Sequence, residues 1–274
     1  MQDSNISIAN TDVLELENLS AGFNTKPVVQ GVSLKVQRGT VTAIAGGNGA
    51  GKSTLLKTIA RLIPAIDGRV IIEGKELSSL ELASLAKKLA YVPQDIANSR
   101  ELTVEDMIAL GRNPHQKWWQ WRTDHNDRSA LENAIKATEL GDLRDKSVSE
   151  ISGGERQRTA IAMSLAQEPE ILLLDEPTAH LDFKHQKSLM LLMLHLKSQG
   201  MTIITCLHDL NFISQVCDQV VCLKKSPKGP STQLFTGAPQ DVLTRENLQS
   251  AFDTELRIIR DSANPDSSTV FFGL

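Results

Sequence analysis

Apolar and polar positions alternate along Val13-Leu-Glu-Leu-Glu-Asn-Leu19 and Val32-Ser-Leu-Lys-Val36, the two-residue period of strands with one buried face. Antiparallel pairing is expected near the amino end. Val41-Thr-Ala-Ile-Ala45 is more continuously apolar. It runs through Gly46-Gly-Asn-Gly-Ala-Gly-Lys-Ser-Thr54 into the helical pattern Leu55-Leu-Lys-Thr-Ile59, so the order is strand, glycine-rich loop, helix. Arg69-Val-Ile-Ile-Glu73, Ile171-Leu-Leu-Leu174, Thr202-Ile-Ile-Thr205 and Val220-Val-Cys-Leu223 read as further buried strands, with helical stretches between several of them. The layout predicts a largely parallel α/β core.

Between Thr103 and Gln167 the strand signals stop. Helical stretches take over at Thr103 to Leu110, Asp124 to Leu140 and Gly153 to Gln167, predicting a mostly helical subdomain. Thr103-Val-Glu-Asp106 and Ser152-Gly-Gly-Glu155 both fit the capping box that opens a helix. Lys224-Lys-Ser-Pro-Lys-Gly-Pro230 reads as a loop by its proline and glycine, and a mixed tail follows to Leu274. No internal repeat or low-complexity segment stands out.

Three segments carry chemistry. Gly46-x-x-x-x-Gly51-Lys52-Ser53 matches the P-loop, in which backbone N–H groups cradle phosphates, the lysine neutralises β/γ charge and the hydroxyl binds Mg²⁺. Glycines let the chain wrap a phosphate closely, and the following helix points its positive end at the anion. A bare helix-capping turn would need neither the lysine nor the hydroxyl. Ile171-Leu-Leu-Leu-Asp175-Glu176 is an apolar strand ending in two carboxylates, the pattern of a Walker B strand in which Asp175 helps hold Mg²⁺. Adjacent strand side chains diverge, so Glu176 is free to face an attacking water as general base. The alternative is a strand that merely ends in two solvated acids. Ile151-Ser152-Gly153-Gly154-Glu155-Arg156-Gln157 adds a second glycine-rich helix start, readable as a second anion site or as an ordinary capped helix.

Composition narrows the setting. With 274 residues, 41% hydrophobic and 23% charged, the chain fits a globular protein that can bury about 70–75% of its unfolded surface. Lys+Arg 29 against Asp+Glu 33 gives a net charge of -4, without the basic excess used against nucleic-acid phosphates, so no nucleic acid is expected as partner. Cys206, Cys217 and Cys222 are odd in number, form no C-x-x-C pair and sit among apolar residues, as expected of reduced core cysteines in a cytosolic protein. The apolar run Leu189 to Leu194 falls far short of the ~20 residues of a membrane span. The amino end has neither the basic start nor the apolar middle of a secretion signal. The chain is thus expected not to cross a membrane by itself, but to be able to sit on a partner that does. His115, His125, His180, His185 and His195 show no metal-ligand spacing and read as surface or packing residues.

Gly46 to Thr54, Tyr91-Val-Pro-Gln94, Ile151-Ser-Gly-Gly-Glu155, Leu174-Asp-Glu-Pro-Thr178, His180-Leu-Asp182 and Leu207-His208-Asp209, in that order, resemble the nucleotide-binding subunit of an ATP-binding cassette (ABC) transporter. The resemblance runs from about Leu14 to Asp253. It implies an α/β P-loop NTPase fold of the ABC-ATPase type, with an antiparallel β subdomain and a helical subdomain at about 95–167, the cassette spanning 1–255 and a tail 256–274. It further implies ATP and Mg²⁺ as ligands. The backbone of Gly46, Asn48, Gly49, Ala50 and Gly51 would cradle phosphates, with Lys52, Ser53 and Thr54 on the β/γ-phosphates, Mg²⁺ and α-phosphate. Gln94 would contact Mg²⁺ and the attacking water, and Asp175 would help hold the metal. Glu176 would be the catalytic acid/base and His208 the switch histidine on the γ-phosphate. Phe23 stands where a ring stacks on adenine, although a core phenylalanine is the other reading. Gly47 replaces the usual proline, and Ile151 and Glu155 replace leucine and glutamine, departures expected to alter rate rather than abolish function.

In this family the signature loop completes the site of a second copy. Ser152, Gly153 and Gly154 of one chain would face Lys52 of another, with Asp182 crossing between the sites of a head-to-tail, ATP-dependent dimer. Leu110-Gly-Arg-Asn-Pro-His-Gln116, Ala160 to Gln167 and Leu181-Asp-Phe-Lys-His-Gln186 are similar to segments of importers for iron–siderophore complexes, haem and cobalamin. That resemblance implies transmembrane permease subunits, an extracytoplasmic binding protein and a place on the cytoplasmic face of the membrane, with ferric siderophore favoured as cargo over haem or cobalamin. Trp118, Trp119 and Trp121 fit either a permease-docking surface or internal packing. A soluble ABC ATPase and a lone P-loop kinase are the competing classes. The first usually carries coiled-coil insertions or two cassettes, and the second has no use for Ser152-Gly-Gly154 or His208.

Overall fold

The computed structural model describes residues 12–96, 100–116, 125–179, 181–252, 256–261 and 264–272. In chain order they form β1 (Asp12–Phe23), β2 (Lys26–Gln37), β3 (Val41–Gly46), α1 (Lys52–Ile59), β4 (Ala65–Ile72), β5 (Lys75–Glu76), α2 (Leu82–Lys88) and β6 (Leu89–Val92). Then come α3 (Val104–Ala109), α4 (His125–Ala137), α5 (Gly153–Ala166), β7 (Ile171–Asp175), α6 (Phe183–Ser198), β8 (Thr202–Cys206), α7 (Leu210–Val216) and β9 (Gln219–Lys224). The chain ends with β10 (Ser231–Gly237), α8 (Pro239–Val242), α9 (Arg245–Phe252), β11 (Leu256–Asp261) and β12 (Asn264–Phe272). Trp118, Trp119, Trp121, His180 and Asp253 lie outside the described residues.

One sheet runs β5-β4-β1-β2-β10-β9-β3-β8-β7-β6. The expected antiparallel pairing near the amino end is present, with β1 between β2 and β4. The expected parallel core is present as β9-β3-β8-β7-β6. Between these two parts stands β10, parallel to β2 and antiparallel to β9. Its sequence, Ser-Thr-Gln-Leu-Phe-Thr-Gly, is too polar to announce a strand, and it reads as mixed tail for that reason. β6 also escapes the periodicity because four residues follow a helix directly, without a turn residue between. β11 and β12 pair in a sheet of their own, and β12 lies against α7.

Alternation along the central strands sorts side chains to two faces. Ala43, Ala45, Leu172, Leu174 and Ile203 pack with α6 and α7, whereas Ile44, Ile171, Leu173 and Ile204 pack with α1 and the antiparallel strands. A sheet covered on both faces can be apolar throughout, which is why these strands read as continuous hydrophobic runs. A third cluster, built on Val104, Ile108, Leu131, Ile135, Leu140 and Ile151, is the core of the helical subdomain. Both capping boxes form: Thr103 with Asp106 opens α3, and Ser152 with Glu155 opens α5.

Two polar devices tie these parts together. At one rim Arg38 bonds Glu170 at 2.6 Å and Glu73, while Lys88 bonds the same two acids. The Lys88 hydrogen bond, aided by Arg38, holds the Glu73 carboxyl below the usual range. Inside the helical subdomain, Leu110–His115 forms a 3₁₀ segment whose Arg112 is buried. Its Nε donates to Asp127 at 2.8 Å, and its Nη1 donates to the Ala166 carbonyl at 2.6 Å and to Glu168 at 2.7 Å. One guanidinium thus fastens α4 to the end of α5. Removing one partner of such a pair leaves the other charge buried and unpaired. Arg112→Met should therefore cost about 3 kcal/mol, read as a lower urea midpoint. The double variant Arg112→Met with Asp127→Leu should recover most of the loss.

Candidate functional site

Open parallel sheets bind ligands beyond the carboxyl ends of their strands. Here four neighbouring strands present those ends at one edge. β3 leads into the glycine loop, β8 into Leu207-His208, β7 ends at Asp175 before Glu176, and β6 ends before Pro93-Gln94. The site is therefore assembled by strand order from four segments far apart in sequence.

The loop from Gly46 to Gly51 turns into α1 at Gly51, the residue before the first helical turn, with φ 84°. A Cβ at this position would lie 2.9 Å from Val28 Cγ1, so both backbone angle and space call for glycine. The same contact brings β2 against the loop. Phe23 pairs with Lys26 at the β1–β2 turn close by and is 54% exposed, so it is no core residue. Ala50 is buried, while Asn48 and Gly49 are exposed.

Lys52 is only 4% exposed. Its Nζ donates to the carbonyls of Gly46 at 3.1 Å and Gly47 at 3.3 Å, and Glu176 Oε1 stands 3.7 Å away. Burial pushes the Lys52 pKa down, and the nearby Glu176 carboxylate opposes that shift. Glu176 Oε1 also lies 2.6 Å from His208 Nε2, while Asp209 caps α7 through the N–H groups of Asn211 and Phe212 and so fixes the turn that carries the histidine.

Asp175 is 2% exposed and faces elsewhere. Its Oδ1 accepts from the Ser53 hydroxyl at 2.7 Å and its Oδ2 from the Tyr91 hydroxyl at 3.0 Å. The two acids are therefore not solvated ends of a strand. Their directions are not set by strand alternation, because Glu176 has φ 47° in the left-handed region and so leaves the strand. A non-glycine residue there carries a strain of about 1 kcal/mol or more. Tyr91 is a site residue that reading the motifs did not single out, although it is the chain's one tyrosine and begins the Tyr-Val-Pro-Gln segment. Cys206, beside Asp175 in the β7–β8 register, is fully buried, and burial keeps its thiol protonated by raising its pKa well above the ordinary value. All three cysteines are free and buried, as expected; burial also raises the pKa of Cys217 to about 12 and of Cys222 to about 11.

The second half of the expected site lies apart. Among the described residues, no hydrogen bond or ion pair joins Ser152, Gly153, Gly154 or Asp182 to residues 46–54. The Ser152 hydroxyl is not free as an acceptor, since it takes the Glu155 N–H at 3.3 Å while Glu155 takes the Ser152 N–H at 2.7 Å. The Ser152 N–H bond holds the Glu155 carboxyl below its ordinary pKa, and the Ser152 hydroxyl, which also hydrogen-bonds that carboxyl, helps to do so. Gln94 and Thr54 join no hydrogen-bonded cluster through their side chains; Gln94 is exposed, and Thr54 lies on the first turn of α1.

A loop of this form on this sheet defines a P-loop nucleotide-binding protein. Residues 29–179 match the family described as ABC transporter. The chain is 38% identical over 238 residues to the petrobactin import ATP-binding protein FpuC of Bacillus anthracis, covering 86% of this chain and 85% of that one. It is 35% identical over 247 residues to the ferric enterobactin transport ATP-binding protein FepC of Escherichia coli, covering 89% of this chain and 89% of that one. Among solved structures it is similar to the dimeric post-hydrolysis state of the ATP-binding cassette MJ0796 bound to ADP and Pi, with TM-score 0.69 and 26% identity over 82% of this chain and 98% of that one. The chain belongs to the ABC transporter family, and as a cassette of that family it binds ATP and is an ATPase.

Tyr91 gives one direct check on the geometry. A hydrogen bond to a charged group contributes roughly 1.5–3 kcal/mol. Tyr91→Phe should lower nucleotide-free stability by about that amount, measured by chemical unfolding, with an unchanged far-ultraviolet circular dichroism spectrum.

Proposed function

We propose that this chain is the ATP-hydrolysing subunit of an importer. Two copies sit on the cytoplasmic face of membrane permease subunits and drive uptake of a ferric siderophore handed over by an extracytoplasmic binding protein. The observation that carries the catalytic part is the convergence of Lys52, Glu176 and His208 beside the Ser53–Asp175 pair at one sheet edge. The cargo is supported by the relatives' names, which speak of petrobactin import and ferric enterobactin transport, and by the Leu110 to Gln116 segment. The described residues include no helix long and apolar enough to cross a membrane, so the translocation path belongs to the permease.

The roles follow from the placements. Backbone N–H groups of Gly46 to Thr54 hold the phosphates, and the buried Lys52 ammonium gives up its carbonyl and Glu176 contacts for them. Phe23 offers its ring to adenine. Ser53 and Asp175 bring a hydroxyl and a carboxylate oxygen to one point, a donor set suited to Mg²⁺, with Gln94 at the neighbouring strand end. Bound there, the ion would neutralise charge on the reacting phosphates. Glu176 accepts the proton of the attacking water as its oxygen bonds to the γ-phosphorus and the bond to the leaving ADP oxygen breaks. His208 steadies the Glu176 carboxylate and donates to the γ-phosphate.

Ser152 and Gly154 stand away from their own P-loop and complete the site of a second, head-to-tail copy. ATP binding favours the closed pair, and hydrolysis removes the charge that holds it. Glu176→Gln should keep ATP binding, slow hydrolysis by about 10²-fold or more and trap an ATP-dependent dimer visible by light scattering. Full turnover by that variant sinks the assignment. Lys52→Ala should instead weaken nucleotide binding itself, read by equilibrium titration with a fluorescent ATP analogue. Co-purification with the permease, followed by uptake of ferric siderophore against haem and cobalamin, tests the cargo.

A further inference from the structure

His185 sits on the first turn of α6, three residues after Asp182. Its backbone N–H donates to Asp182 Oδ1 at 2.9 Å, and its ring Nδ1 lies 2.7 Å from the same oxygen. One carboxylate oxygen therefore caps the helix and orients the imidazole at the same time. The ring also meets a distant segment. A Cβ on Gly154 would lie 2.5 Å from His185 Cγ and 2.9 Å from Nε2, so the ring rests directly on the glycine. Gly154 is buried, and it opens α5 two residues after Ser152. Reading His185 as one packing histidine among several thus misses what it packs against. The atoms nearest a Cβ at 154 all belong to this ring, and it holds Asp182 through Nδ1.

We propose that His185 is a positioning residue that joins the signature turn to Asp182, so that the two shift together when two chains close around ATP. This rests on the head-to-tail reading above. Gly154 and Asp182 belong to different elements, α5 of the helical subdomain and the start of α6 on the core. With the ring between them, displacement of Gly154 by a triphosphate on the partner chain carries over to Asp182, which faces the other site. Binding at one site then biases the second, which is what a coupling between sites requires in physical terms. The two contacts of the ring are separable. Asparagine at 185 can donate a side-chain bond to Asp182 but cannot cover Gly154, and phenylalanine covers Gly154 but keeps only the backbone N–H bond to Asp182.

The test uses the full chain and steady-state ATP hydrolysis across ATP concentrations. His185→Ala, His185→Asn and His185→Phe should each bind a fluorescent ATP analogue like the parent at dilutions below dimer formation. Each should lower kcat by roughly five- to tenfold and bring the Hill coefficient for ATP down towards one. A side chain that only bonds Asp182 would be rescued by asparagine, and one that only fills space would be rescued by phenylalanine. Either single rescue, or parental kcat and Hill coefficient in the alanine variant, overturns the proposal. A Glu176→Gln control separates the two layers. If that control forms the ATP-dependent dimer, a failure at His185 belongs to this inference alone; if it stays monomeric, the head-to-tail reading and the coupling fall together.

Discussion

A buried ammonium group governs the architecture of the site. Lys52 is almost inaccessible to water, and its compensation is two backbone carbonyls and one carboxylate, Glu176, at the long separation of 3.7 Å. Burial of a cation without a close counterion is unfavourable, and the lowered Lys52 pKa expresses that. On the proposed reading, a triphosphate would supply a closer anion. The rest of the core can be understood as the frame for this charge: α1 starts at the lysine, β3 delivers it to the sheet edge, and β7 and β8 arrive alongside with Glu176 and His208.

The backbone at Glu176 belongs to the same logic. Continuing β7 by one more extended residue would leave Asp175 and Glu176 on opposite faces of the sheet. The left-handed conformation instead ends the strand at the edge, where Asp175 faces Ser53 and Tyr91 while Glu176 faces Lys52 and His208. Two carboxylates one residue apart thereby have different partners and can do different work. The strain is tolerated because the surroundings fix both sides, with a five-residue buried strand before it and a backbone turn from Ala179 N–H to the Glu176 carbonyl after it.

What could be read from the sequence was whatever depends on neighbours in the chain. The loop Gly46 to Thr54, the acid pair 175–176 and both capping boxes are local patterns whose chemistry follows from spacing, and each appears where spacing puts it. Features that depend on the partner across the fold were illegible. Tyr91 shows nothing of Asp175, and Arg112 shows nothing of Asp127, Ala166 and Glu168, since those contacts arise only after β6 pairs with β7 and α4 packs on α5. His185 is the sharpest case. Its sequence neighbours announce a surface helix, whereas its ring lies on a glycine from another subdomain. β10 was hidden for a different reason, because a strand that bridges two halves of a sheet needs backbone pairing more than an apolar face.

The capped state of Ser152 bears on how an incomplete site can remain quiet. In a single chain the first turn of α5 is already satisfied: Ser152 and Glu155 exchange hydrogen bonds, and these hold the Glu155 carboxyl below its ordinary pKa, so a negative charge stays at the helix start. That charge occupies the end of the helix which would otherwise attract any anion. A stray phosphate therefore finds a weaker site there than an uncapped helix would offer. On the proposed head-to-tail reading, a triphosphate held at Lys52 of another chain would arrive with its position already fixed, and so would meet the capped turn of Ser152 at less loss of freedom than a free anion. The capping box then favours a ligand presented by a partner over one arriving alone, while the missing Cβ at 154 makes room for the His185 ring.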